Sequence, residues 1–265
     1  MLQSRIYQTL IVATAGLFLM ATATANLSAQ TKPPAPIKNV VLVHGAWADG
    51  SCWSKIIPLL EAKGLHVVAV QNPLTSLADD VAVVKRAIAL QDGPVLLVGH
   101  SYGGAVITEA GNDPKVVGLV YVAAFAPAEG ESAGSTGHAY PPTPLNSEVR
   151  PDAEGFLTVT PKGIAEDFAQ DLTPGEIRLA IATQGPISGP AAFGGKITKA
   201  AWKYKPTWFV IASNDRAIPP ELEKAEAAAM KATSITLASS HLPMLSHPKE
   251  VAALIEQAAA QGGTK

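Results

Sequence analysis

Apolar positions in this chain fall into short continuous runs that alternate with longer runs of helical spacing. Val40-Val41-Leu42-Val43 is unbroken and ends at His44-Gly45, which predicts a strand buried on both faces, as in a parallel sheet. Trp53 to Ala62 has helical spacing and closes at Gly64 as a C-cap. His66 to Val70 reads as a second strand. Leu77 to Leu90 follows as a helix with Leu77, Val81, Val84 and Ile88 on one side. Asp92-Gly93-Pro94 breaks that helix. Val95 to Val98 is a third strand, Ser101 to Ala110 a helix, and Val116 to Val122 a fourth strand. From Pro127 to about Lys205 the pattern lapses into Pro, Gly, Ala and Ser with weak periodicity. It resumes with a strand at Thr207 to Ala212, an Ala/Glu/Lys helix at Pro220 to Lys231, a strand at Thr233 to Leu237 and a helix at Pro248 to Ala260.

This alternation predicts an α/β domain, a mostly parallel sheet flanked by helices. The irregular middle, about 127–205, reads as a small cap inserted over the carboxyl ends of the strands. The first 25 residues read as a signal peptide, with Arg5 as the positive end, an apolar stretch from Leu10 to Met20, and Ala23-Thr24-Ala25 as the cleavage signal. Cleavage after Ala29 is the second option, and an uncleaved anchor the competing one. Residues 26–37 form a proline-rich linker, and 38–265 the domain. The expected location is therefore outside the cytoplasm, periplasmic or secreted, with no stable membrane association once the leader is removed.

Composition narrows the function further. A net charge of −2 over 265 residues, with no basic run, gives no footprint for nucleic acid. The single cysteine, Cys52, precludes an internal disulfide, and the six scattered histidines suggest no metal site. The alanine-rich last helix leaves pairing with a second copy, a homodimer, open.

Gly99-His100-Ser101-Tyr102-Gly103 matches G-x-S-x-G between a buried strand and a helix. The turn is so tight that flanking glycines are needed, and it lifts the serine hydroxyl to the amino end of a helix. An incidental serine in a glycine-rich turn is the bland alternative; the flanking strand and helix disfavour it. Serine needs a base. His241, after the last strand in Ser239-Ser240-His241, is preferred to His247, which directly precedes Pro248 and helps to begin the last helix. Asp215, after the strand ending at Ala212, suits the carboxylate that orients the base, in the order Ser…Asp…His. Asp113, Asp167 and Asp171 are the alternatives. Oxyanion donors are expected from the backbone N–H groups of Tyr102 and Ala46, each worth ~3 kcal/mol of transition-state stabilisation. His44 is expected to order the Ala46 loop. Trp47 and Leu242, beside these residues in sequence, are expected in the pocket wall. Phe125, Tyr140, Phe156, Phe168 and Phe193 are candidates for an apolar lining, with packing of cap on body as the alternative for each. His66 opens a strand and reads as structural; His138, in the cap, reads as solvated, with substrate contact as the alternative.

His44-Gly45-Ala46-Trp47, Gly99-His100-Ser101-Tyr102-Gly103-Gly104, Asn214-Asp215 with Ile218-Pro219, and Ser240-His241 with Met244-Leu245 resemble the α/β-hydrolase superfamily. The branch is similar to the one that holds plant methylesterases of the salicylate-binding type, hydroxynitrile lyases and small bacterial esterases. The resemblance spans about Lys38 to Ala260. It implies an α/β-hydrolase fold, Ser101 as nucleophile, His241 as base, Asp215 as acid, Ala46 and Tyr102 as oxyanion donors, and no cofactor. The lyases of this branch have threonine where Gly45 stands and lysine where Leu242 stands, so the comparison sets esterase above lyase; the apolar, uncharged wall expected around Trp47 and Leu242 suits small to medium hydrophobic carboxylic esters. A slow or non-catalytic ligand-binding homologue is the second reading. Dehalogenases and epoxide hydrolases on this fold need an aspartate nucleophile, which Ser101 excludes.

Overall fold

The computed structural model describes residues 37–261. The expected leader and nearly all of the linker lie outside the described residues. Six strands, β1 (Asn39–Val43), β2 (His66–Ala69), β3 (Val95–Ser101), β4 (Val116–Ala124), then β8 (Thr207–Ala212) and β9 (Thr233–Leu237), form one sheet in the order β2-β1-β3-β4-β8-β9. Every pairing in it is parallel. Helices α1 (Ile57–Glu61), α2 (Leu77–Ala89), α3 (Gly103–Ala110), α7 (Pro220–Ala229) and α9 (Pro248–Gln261) supply the crossovers and the flanking layers. Strands β1, β3 and β8 are buried along their whole length. That burial on both faces is why their sequences are apolar without alternation.

Between β4 and β8 the chain leaves the sheet. It forms α4 (Ala133–Thr136), strands β5 (Val149–Pro151) and β6 (Phe156–Val159), the single turn α5 (Pro161–Gly163), α6 (Pro174–Thr183) and strand β7 (Ile187–Ser188). The three strands pair antiparallel as a small second sheet. This inserted region is more regular than its sequence pattern suggested.

Strand order reverses between β1 and β3, because β2 lies on the far side of β1 and β4 on the far side of β3. In open α/β sheets the crevice at the carboxyl ends of such strands is where ligands bind. Here those two ends carry His44-Gly45-Ala46 and Ser101. The short α8 (Pro243–Ser246) follows the loop after β9 and leads into α9. Among the described residues no helix is long and apolar enough to cross a membrane.

Candidate active site

Ser101 is the last residue of β3 and has φ of 53°, a left-handed conformation that costs a non-glycine residue energy and is tolerated where the surroundings enforce it. The enforcement is visible at Gly103. A Cβ there would stand 2.5 Å from the Val43 carbonyl oxygen, so only glycine lets α3 start this close to β1. The helix begins at Gly103, two residues later than expected, because Ser101 itself completes the strand. Ser101 Oγ makes no hydrogen bond within the described chain and borders the main cavity.

His241 lies in the loop between β9 and α8. Its Nδ1–H donates to Asp215 Oδ2 at 2.5 Å. Asp215, in the loop after β8, accepts two more donors on Oδ1, the N–H groups of Ala217 at 2.6 Å and Ile218 at 2.9 Å. Three donors hold the carboxylate, and with Nδ1 engaged the imidazole keeps Nε2 for proton transfer. Both side chains are almost fully buried. The His241 ring sits between Phe168 and His100, with centroids 4.9 and 4.7 Å away. Ser101 and His241 border the same cavity. The other aspartates are elsewhere: Asp113 Oδ1 accepts the Lys115 N–H in a turn, and Asp167 pairs with Arg216. His247 bonds Ser246 Oγ, and its carbonyl accepts the Val251 N–H of α9.

The loop after β1 is pressed against the serine. A Cβ at Gly45 would stand 2.6 Å from Ser101 Cβ, so glycine at 45 brings the Ala46 backbone beside the nucleophile position. His44 shapes this loop: its Nδ1–H donates to the Gly45 carbonyl at 2.9 Å, and its Nε2 accepts the Asn72 N–H at 2.9 Å. Burial holds the His44 imidazole below the usual histidine range, consistent with the neutral tautomer these two bonds require. Tyr102 is fully buried and heads α3, where the first N–H groups have no intrahelical acceptor. Its hydroxyl donates to Asp80 Oδ2 at 2.8 Å. Burial pushes the Asp80 carboxyl up to about 6.

Two contributions went unseen in the sequence. His100, read only as a motif filler, donates from Nε2 to the His241 carbonyl at 2.8 Å and so ties the elbow to the histidine loop. Burial holds it well below the usual range, so it stays neutral. The inserted region also grips both loops. Asp171 Oδ2 accepts the Ser240 N–H at 2.8 Å, Gln170 donates to the Asn214 carbonyl at 2.8 Å, and Arg216 donates to the Glu166 carbonyl at 3.0 Å. Asp171 was weighed as a catalytic alternative; it holds the residue before His241 instead.

A cavity of about 650 Å³ opens onto Ser101 and His241, and Trp47, Phe125, Tyr140 and Phe193 line it. His138 borders it too. Trp47 adopts φ of 55° and anchors its indole N–H on the Leu157 carbonyl at 2.9 Å, joining body to insert. Phe168 packs beneath His241, and Phe156 borders neither cavity described. The expectation for Leu242 needs correction. It is 2% exposed and faces a separate space of about 90 Å³ with Phe168 and Cys52, because Pro243 starts α8 immediately after it and fixes that backbone. Among the described residues, no three His, Cys, Asp or Glu side chains converge as a metal site.

The strained serine thus stands between a buried strand and a helix, with an Asp-oriented histidine on the same cavity, and comparison with known proteins gives the family. The model of the alpha/beta hydrolase family matches residues 40–254. The chain belongs to this family. Among its relatives, the pyrethroid hydrolase of Sphingobium wenxiniae is 25% identical over 83% of this α/β-hydrolase and 86% of its own length. Salicylic acid-binding protein 2 of Nicotiana tabacum is 26% identical over 82% and 95%, in keeping with the branch its motifs resemble. A solved pyrethroid hydrolase structure superposes with a TM-score of 0.74 at 23% identity, covering 84% of this hydrolase and 97% of that chain, and shares its fold.

Proposed function

We propose that this α/β-hydrolase is a serine esterase that cleaves small to medium hydrophobic carboxylic esters through an acyl-enzyme. The observation that carries the reading is the 2.5 Å bond from His241 Nδ1 to Asp215, which leaves Nε2 as the base on the cavity that also holds the strained Ser101. His241 takes the Ser101 proton as Oγ attacks the ester carbonyl. The oxyanion accepts the Ala46 and Tyr102 N–H groups. The alkoxide leaves with the proton from His241, and water activated by the same ring then clears the acyl group as a carboxylic acid. Asp215 stays ionised and stabilises the transient imidazolium. The cavity supports esters larger than acetate, because its walls are mainly aromatic and aliphatic. The pyrethroid hydrolase among the relatives adds support for an ester of that kind.

The test is release of p-nitrophenol from acetate and hexanoate esters by the purified mature protein beside Ser101→Ala. We expect the variant to lose ~10³-fold or more in kcat/KM, with hexanoate preferred over acetate by the wild type. Equal, slow release by both proteins would sink the esterase reading and favour a ligand-binding homologue.

A further inference from the structure

Helix α7 places Glu223 and Glu226 on its inner side, and Glu223 is fully buried. Glu223 Oε2 accepts the Ala212 N–H at 2.9 Å, at the end of β8. Its other oxygen, Oε1, is buried with no donor near it. Ala212, whose N–H bonds Glu223, also accepts the Asp215 N–H at 3.2 Å, and the Glu223 carboxyl neighbours the Asp215 side chain. Two carboxylates in contact, both shut away from water, cannot both be ionised without a cation. None is supplied. Glu223 takes part in no ion pair, and Arg216 turns its guanidinium to the Glu166 carbonyl and Asp167. The groups facing Glu223 are Asp215, from the loop before α7, and Glu226, three residues along the helix, whose Oε1 accepts the Ala126 N–H.

One of the pair must hold a proton, and the donor count decides which. Asp215 is held by three donors, Glu223 by one. We infer that Glu223 is a neutral carboxylic acid whose Oε1–H donates to the Asp215 carboxylate, a positioning residue that holds Asp215 on His241. Burial first, and the Asp215 charge second, hold Glu223 well above the usual carboxylate range, which agrees with the geometry. This assignment rests on the esterase reading for its consequence: ionisation of Glu223 would repel Asp215 and disturb the bond to His241, so turnover falls at alkaline pH while the chain remains folded.

The experiment compares wild type with Glu223→Gln and Glu223→Met. Gln can donate to Asp215 through its amide and accept from Ala212 N–H, yet never ionises; Met fills the space and donates nothing. Kinetics with p-nitrophenyl acetate from pH 6 to 10, corrected for spontaneous hydrolysis, give kcat and KM, and circular dichroism verifies folding at each pH. We expect Met to lose ~10-fold or more in kcat with KM within ~2-fold, Gln to recover kcat to within ~3-fold, and the alkaline fall to vanish in Gln. In [13C]glutamate-labelled protein, two side-chain carboxyl resonances at pH 7, those of Glu223 and Glu226, should have the shift of a protonated acid, and the Glu223 one should be missing in Glu223→Gln. A shared alkaline limb in wild type and Gln, full kcat in Met, or a Glu223 resonance at the carboxylate position overturns the inference. The resonance needs no turnover, so it distinguishes failure here from failure of the esterase reading.

Discussion

Strands β3 and β6 both look apolar, yet they answer to different surroundings. Every residue of β3 is buried, between β1 and β4 and under helices, whereas in β6 Phe156 and Leu157 are half-buried and Thr158 is exposed. The same division runs through the carboxylates. In the sheet body Glu223 and Glu226 are pushed up by burial. In the insert, acids that still reach solvent are pulled down by partners: Lys203 draws Glu129 to about 2, Lys55 does the same to the half-buried Glu176, and Thr160 lowers the half-buried Glu148. Dehydrated acids of this kind cost the body stability where they must ionise. The insert adds surface hydrogen bonds and ion pairs, each worth little in water, to buried side chains such as Ile164, Phe168 and Ile187.

Truncation would separate the two most sharply. Leu97→Ala, at the centre of β3, removes a fully buried side chain and should cost ~2–5 kcal/mol in urea unfolding. Leu157→Ala, a half-buried cavity wall, should cost under ~1 kcal/mol and act instead on KM for the longer ester. Equal losses of stability would show that the insert is as tightly built as the sheet.

The same contrast governs what the sequence revealed. Strands Thr207–Ala212 and Thr233–Leu237 were delimited to the residue: the first is an apolar run buried throughout, and the second, at the sheet edge, is a short β-branched segment between helices. The strands of the second sheet were not seen. They span two to four residues, too short for a period to register. Helix α6 buries no side chain fully; Ile177, Ala180 and Ile181 pack only partly buried against the core, a stripe too short to stand out in the sequence. Its capping box of Thr173 and Glu176, with Pro174 at the first helical position, was the available signal. Around the site, Ser101, Asp215 and His241 were legible from strand ends and chain order. Glu223 was not, because glutamate in an Ala/Glu/Lys helix looks like a solvated face; only the packing of α7 reveals that it is buried.

The Asp171 contact tests whether the insert acts on chemistry as well as on fit. Asp171→Ala frees the Ser240 N–H, and we expect kcat to fall ~3–10-fold, equivalent to a loosened hydrogen bond of ~1 kcal/mol. The melting temperature should scarcely move, since Asp171 is exposed. Asp171→Asn retains an acceptor oxygen and should keep most of the rate. If Ala changes only KM, the insert shapes binding and does not position His241.

The smallest effect concerns the seam where the insert departs from the body. Glu226 of α7 accepts the Ala126 N–H at 3.0 Å, just beyond the end of β4, and its Oε2 is buried without a partner. Burial pushes this carboxyl up to about 8. In the unfolded chain it ionises at the ordinary value of about 4.3. Between those values the unfolded chain has released a proton that the folded protein still holds. Stability from this group is therefore full below the unfolded value and is lost as pH rises toward about 8. Glu226→Gln retains the oxygen that accepts from Ala126 and cannot ionise. The variant should melt with wild type near pH 5 and above it by ~2 °C or more at pH 8. A difference that is the same at both pH values would mean that Glu226 is ionised in the fold, and that the body tolerates a buried charge the insert would have paired.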